Sequence, residues 1–563
     1  MVSGTETFTA EVVLGRMKAA GVDYLLANGG TDFPSIIEAF ARSPQSGIAM
    51  PEPMVIPHEG IAVGMAHGYY LVTGRPQAVM VHVNVGLANA AMGLINAASD
   101  NIPVLMCSGR TPLTETGRFG SRSAPIHWGQ EMRDQAGMIR EVVKWDYELV
   151  YPEQAGSLVD RALGIAMSDP KGPVYLSLPR EVLAEKATGL DEISSISPAL
   201  LGPAPGAAIA EAAALIANAK HPVVITQSLS HGADFEPLAG FAEQYALPVV
   251  EFWSLRQALP TSHPMHAGRD PMPWLKNADV VVVIDAMVPW IADHISLPEG
   301  CRVIAIGADP LFSKVPIRGF PVHVALAGDS AETLAALRDA VAQRAPSGEA
   351  HAERRKAVAD FRAAGDEALR KRVEAGSGSP MSPAFVSHCV SQAKDPDAIV
   401  LTELGCDVTA MEFDEPRTFF STPLSGGLGW CLPAALGAKL ADRNRQVIAS
   451  LGDGSYMFAN PIACHQTAAA HNLPILTIVF NNGIWNAVRR ATLYMYPKGS
   501  AASANVMPVT SLQPSPDYCM IAKAHGAYAE RVEDGADLPD ALRRALDATA
   551  RGQQALLEVV VSY

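Results

Sequence analysis

Short apolar runs alternate with stretches of helical spacing along almost the whole chain. Eleven runs stand out: "VDYLLANGG", "QAVMVHVNVG", "IPVLMCSG", "GPVYLSLP", "HPVVITQS", "DVVVVIDA", "RVIAIGAD", "AIVLTELG", "QVIASLGDG", "LPILTIVFNN" and "ALLEVVVSY". Most are rich in Val, Ile and Leu without clean polar alternation, the pattern of parallel strands covered by helices on both faces. The chain therefore reads as an α/β protein of doubly wound parallel sheets, the strand–helix unit repeated several times.

Two breaks interrupt the pattern. Residues 186–206, "KATGLDEISSISPALLGPAPG", are rich in Ser, Pro and Gly and read as a linker. Residues 345–382 read as a charged helix between flexible ends, from "APSGEAHAERRKAVADF" to "EAGSGSPMS". Three blocks are expected, 1–185, 205–345 and 380–563, the first and third alike in length and pattern.

A length of 563 residues is too great for one core. A formal net charge of −15 argues against nucleic acid or an anionic membrane as partner. The seven cysteines are scattered, as expected of reduced thiols in a cytoplasmic protein rather than a disulfide framework or zinc site. The start, "MVSGTETFTAEVVLGRMKAAG", reads as an amphipathic helix without a signal-peptide core, and no run reaches membrane-spanning length.

Chemistry concentrates at two strand ends. Asp453 lies in the Gly-Asp-Gly after "QVIASL", and Asn481 and Asn482 follow "LPILTIVF". A helix over about 460–471 would make these strands parallel neighbours, and ligands bind beyond the carboxyl ends of such strands. One carboxylate, one amide oxygen and a main-chain carbonyl are hard ligands suited to Mg²⁺. Gly452 and Gly454 allow close approach of the main chain, and Ser455 at the following helix offers N–H donors to phosphate.

Gly-Asp-Gly, a helix-length interval and Asn-Asn together resemble the metal–diphosphate signature of thiamine-diphosphate-dependent enzymes. By that resemblance the Mg²⁺ ligands are Asp453, the side chain of Asn482 and the carbonyl of Ile484, with Asn481 the competing choice for the amide. The resemblance runs through the chain as pyrimidine-binding, central and diphosphate-binding domains. It implies that Glu59, in "VIPHEGIAVGMAHG", is the acid that activates the aminopyrimidine. It also implies that Gly427 and Leu428, in "SGGLGWCLPAALG", lie under the cofactor, and that Gly405 and Cys406, in "LTELGCD", border the diphosphate. Active sites of the family lie between subunits, so a homodimer or homotetramer is implied.

Within the family the chain resembles benzoylformate decarboxylase and acetolactate synthase-like proteins. His82 and His263 match two active-site histidines of the decarboxylase, and Thr31 falls at its substrate-binding serine. Gln130, in "IHWGQEMRDQ", matches the glutamine of the synthases, and Val488 stands where pyruvate decarboxylases have a glutamate. "VITQSLSHGAD" lacks the glycine-rich turn of an FAD site, so FAD is not expected. Residues 489–516 read as a long loop over the site, with Arg489 or Arg490 available to a carboxylate. The implied activity is decarboxylation of a 2-oxo acid through a C2 ylide and an enamine. Carboligation with an aldehyde or second oxo acid is the alternative, and further ones are a CoA-thioester lyase using Lys314 and Arg318, or cofactor binding without turnover. A nicotinamide enzyme finds no strand–GxGxxG–helix here.

Overall fold

The computed structural model describes residues 6–187, 196–229, 234–344 and 348–563. Parts of both expected linkers (188–195 and 345–347) and of "VITQSLSHGAD" (230–233) lie outside the described residues. The strands form three sheets, all parallel. The first contains β1 (Tyr24–Ala27), β2 (Glu52–Val55), β3 (Gln77–Val81), β4 (Val104–Arg110), β5 (Asp146–Glu148) and β6 (Val174–Pro179), in the order β2-β1-β3-β4-β6-β5. The second contains β7 (Pro222–Thr226), β8 (Val249–Glu251), β9 (Val280–Ile284), β10 (Arg302–Gly307) and β11 (Val324–Ala327), ordered β11-β10-β9-β7-β8. The third contains β12 (Ile399–Glu403), β13 (Phe419–Ser421), β14 (Val447–Gly452), β15 (Leu476–Asn481), β16 (Tyr528–Val532) and β17 (Ala555–Val560), ordered β13-β12-β14-β15-β17-β16. The first and third sheets thus share one topology.

The chain forms two compact units. One comprises 1–200, 422–444 and 455–475, the other 201–421, 445–454 and 476–563. Two pieces of the C-terminal block therefore group with the N-terminal sheet. The cause is a close packing of helix Cys431–Ala441 on helix Glu59–Thr73. A Cβ on Gly68 would lie 1.9 Å from the carbonyl oxygen of Ala434, and one on Gly437 2.0 Å from that of Met65. Only residues without side chains let two backbones approach so closely.

Each unit has its own buried apolar layers. The first packs Leu25, Ala78, Leu105 and Leu176 of its sheet against Leu14 and Met17 of helix Thr9–Ala19. In the second, Val282 and Ile304 meet Leu334 and Phe241, while Ile448 and Ile478 meet Phe413 and Leu542. Among the described residues no helix is long and apolar enough to cross a membrane. The loop expected at 489–516 is shorter than the sequence suggests. Residues Asn486–Met495 are helical, because "NAVRRATLYM" holds no glycine or proline to stop a helix.

Candidate functional site

In the first unit, strand order reverses between β1 and β3, the place where the loops leaving two neighbouring strands diverge and open a crevice. The loop after β1 is "NGGTDFP", and His82 follows β3 as the N-cap of helix Val83–Ser99. Asp32 is buried, with Oδ1 2.6 Å from His82 Nδ1 and Oδ2 accepting the Val83 N–H at 3.1 Å. Val83 has φ of 34°, left-handed backbone that a β-branched residue avoids. Two glycines make room for the pair. A Cβ on Gly30 would lie 2.1 Å from His82 Nδ1, and one on Gly109 1.8 Å from Asp32 Oδ2.

On the other side of the ring, Gln130 Nε2 stands 3.1 Å from His82 Nε2, and Gln130 Oε1 is buried without a hydrogen-bond partner among the described residues. The hydrogen bond to Asp32 raises the His82 pKa above the ordinary 6.5, with burial opposing it and the charges of Asp32 and Glu59 reinforcing it. His127, three residues before Gln130, behaves oppositely: burial and the cations Arg180 and Arg122 push its pKa down. Its Nδ1 accepts the Ser123 N–H at 3.1 Å. Thr31 is exposed, and its carbonyl accepts from Arg180 at 3.1 Å.

Glu59 opens helix Glu59–Thr73, whose cap is the His58 ring accepting the Gly60 N–H at 3.1 Å. The carboxylate is buried and accepts from Asn89 Nδ2 at 3.2 Å. Two turns further along the Asn89 helix, Asn96 staples the "SGGLG" loop. Its Nδ2 donates to the Gly427 carbonyl at 2.8 Å, and its Oδ1 accepts from Gly427 N at 3.1 Å and from Ser425 Oγ at 2.7 Å. Leu428 follows, half-buried. Ser455, also of this unit, is buried in the first turns of helix Asp453–Phe458.

The second unit repeats the arrangement at its own reversal, between β12 and β14. β14 runs without a loop into the helix that starts at Asp453, and β15, its parallel neighbour, ends at Asn481. The returning helix is Pro461–Ala470. Asp453 is buried; Oδ1 accepts from Gly454 N at 2.9 Å and Oδ2 from Gly483 N at 2.8 Å. Burial pushes its pKa up, partly offset by these main-chain donors. A Cβ on Gly454 would sit 2.2 Å from the Trp485 ring, and one on Gly405 2.5 Å from Leu451 N of β14. Gly452 closes β14, and burial pushes the Cys406 thiol up, away from nucleophilic character.

The two asparagines differ. Asn481 Nδ2 donates to buried Glu558 at 2.8 Å and its Oδ1 accepts from Gly483 N at 3.1 Å. Asn482 is half-buried, its Oδ1 accepting from Ile484 N at 3.1 Å, and it borders a groove of about 620 Å³ with Gly483, Gln513 and Tyr563. The Ile484 carbonyl accepts from Asn486 N at 2.9 Å. Among the described residues no group of three or more His, Cys, Asp or Glu could hold a metal. The donor set at Asp453 is of another kind, one acid with amide and carbonyl oxygens. Arg489 lies over the Tyr563 ring at 4.9 Å, and Arg490 is exposed. His263 lies in the central sheet's part of this unit. Its Nδ1 accepts from Met265 N at 3.1 Å, and its carbonyl accepts from Arg362.

Sequence reasoning missed Asp32 and His127. Asp32 adjoins Thr31, and the only local signal was an acid in a glycine-rich loop after a strand.

Fold and polar clusters define an α/β protein with functional groups gathered at the reversal points of two like sheets. Comparison with protein families gives that class its name. Thiamine pyrophosphate enzyme domains match in order: the N-terminal TPP binding domain over 8–138, the central domain over 209–337 and the C-terminal TPP binding domain over 404–559. The chain is 30% identical over 510 residues to benzoylformate decarboxylase of Pseudomonas aeruginosa, covering 87% of this chain and 89% of that one. It is 26% identical to sulfoacetaldehyde acetyltransferase of Castellaniella defragrans, covering 97% and 92%. The solved 4-hydroxybenzoylformate decarboxylase of Rhodococcus jostii shares the fold at a TM-score of 0.77, with 23% identity over 99% of both chains. The protein belongs to the thiamine-diphosphate-dependent enzymes, related to benzoylformate decarboxylase and the acetolactate synthase-like members.

Proposed function

We propose that the protein is a thiamine-diphosphate- and Mg²⁺-dependent decarboxylase of a 2-oxo acid. The observation that carries this reading is the joint between β14 and β15. There the buried Asp453 carboxylate accepts at 2.8 Å from the N–H of Gly483, the residue between the Asn482 amide and the Ile484 carbonyl in the loop that leaves the neighbouring strand. Burial that disfavours the charge of Asp453 is what a divalent cation would relieve. Asp453, the Asn482 amide and the Ile484 carbonyl would hold Mg²⁺. Gly405, Cys406, Gly452, Gly454 and Ser455 would border the diphosphate, and Gly427 and Leu428 the rings. When bound, the cofactor supplies the electron sink that cleavage beside a carbonyl requires.

This chain's own residues do the rest. Glu59 would hold or give up a proton where the aminopyrimidine binds, and Asn89 keeps its carboxylate oriented. His82 presents Nε2 as the group that gives or takes a proton at the substrate, with Gln130 against it. Thr31 would contact the substrate, and the sites would be completed in a homodimer or homotetramer. His263 stays a candidate for the substrate side of the site.

Carboligation is the second reading, favoured by Gln130 and by similarity to an acetyltransferase. Reconstitution with thiamine diphosphate and Mg²⁺ and a panel of 2-oxo acids tests both. The expected result is CO₂ release with an aldehyde product; a 2-hydroxy ketone formed only when aldehyde is added marks the ligase. No CO₂ from any acid removes both readings.

A further inference from the structure

Asp32 is engaged on two sides at once. One oxygen takes the His82 ring and the other the N–H that begins the next helix. The ring is thereby locked to its own backbone, across a residue held at φ of 34°. Gly30 and Gly109 leave space for this pair and for nothing larger. A carboxylate can only accept, so the proton between it and the ring lies on Nδ1. That settles what Nε2 can do. It is an acceptor when the ring is neutral, which suits the facing Gln130 amide nitrogen. When the ring gains a proton, Nε2 becomes a donor, and half a turn of the Gln130 amide brings up Oε1, the oxygen that has no partner now.

We propose that Asp32 is the positioning residue of His82: it fixes the Nδ1 proton, so that the exchangeable proton sits on Nε2, and the Gln130 amide turns to match each state. The inference deepens the proposed function, since it places the proton of the histidine assigned there. Among the described residues the charged and titratable groups facing His82 are Asp32, Glu59 from the neighbouring helix, and His127 from the Gln130 segment.

The test uses full-length protein without cofactor. Diethylpyrocarbonate acylates only neutral imidazole nitrogen, so its rate at His82 against pH, read by peptide mass spectrometry, reports the ring's titration. In the wild type the midpoint stands above 6.5, the value of an unperturbed histidine. In Asp32→Asn the charge is gone and the new amide donates to Nδ1, sending the ring proton to Nε2, so the midpoint falls. A wild-type midpoint at or below 6.5 overturns the proposal whether or not the variant folds. So does an unmoved midpoint in folded Asp32→Asn. In activity, Asp32→Asn is expected to cost on the order of 100-fold in kcat/KM and nothing further in a His82→Ala background. Multiplying losses would mean that Asp32 acts elsewhere. If no 2-oxo acid turns over yet the midpoint shifts as stated, the proposed function fails and the positioning role stands.

Discussion

Asn481 and Asn482 are chain neighbours with opposite commitments, which makes the pair a test of how an amide is used. Asn481 serves the fold. Removing its side chain leaves the buried carboxylate of Glu558 with Arg531 as its remaining strong partner and strips an acceptor from Gly483. Asn481→Ala should therefore cost about 1–3 kcal/mol in urea unfolding. Asn482→Ala should leave unfolding nearly unchanged but weaken Mg²⁺-dependent binding of thiamine diphosphate, measured by titration calorimetry. Equal stability losses would contradict this division. At Glu59, substitution by Gln keeps size and can still meet Asn89, so the cofactor should bind normally while kcat drops on the order of 100-fold or more. Asp453 and the asparagines were visible in the sequence because each closes an apolar strand. Asp32 was hidden, because its partner His82 comes close only through the strand order.

Among the described residues, the eleven runs picked out by pattern are the eleven interior strands, and every strand they omit is a sheet edge: β2, β5, β8, β11, β13 and β16. The reason is burial. An interior strand is covered on both faces and reads as unbroken Val and Ile, whereas β2 is exposed at three of its four positions and β11 alternates. Helix packing was equally hidden, since nothing local announces that Glu59–Thr73 and Cys431–Ala441 touch backbone to backbone. The glycines do announce it once the structure is known. Gly68→Ala places a methyl group against a carbonyl that cannot rotate away, so a loss of roughly 1–3 kcal/mol or more is expected in chemical unfolding. Gly129→Ala, with open space around it, should cost little. Similar losses in both would mean that chain flexibility, not the contact, is the cause.

Among the described residues, histidines oppose one another in their effect on pH stability. Burial lowers the pKa of His127, His263 and His351. Each binds its proton less readily folded than unfolded, so its contribution is present above the ordinary histidine pKa and is lost as pH falls below it. His82 has the opposite sign. The stability it adds is full below 6.5 and fades as pH rises through its raised folded value. Between about pH 7 and 5.5 the thermal midpoint of the cofactor-free protein should therefore fall further when His82 is replaced and less far when one of the other three is. His263 permits a sharper test because its ring is used locally. Nδ1 receives the Met265 N–H, Nε2 is buried with Glu243 at 4.0 Å, and Arg362 and His266 add positive charge nearby. His263→Gln offers an amide oxygen to the same N–H and removes the titration, so the acid-side decline should flatten. With a local role kcat stays unchanged, whereas a large drop in kcat with an unaltered stability profile would return His263 to the substrate.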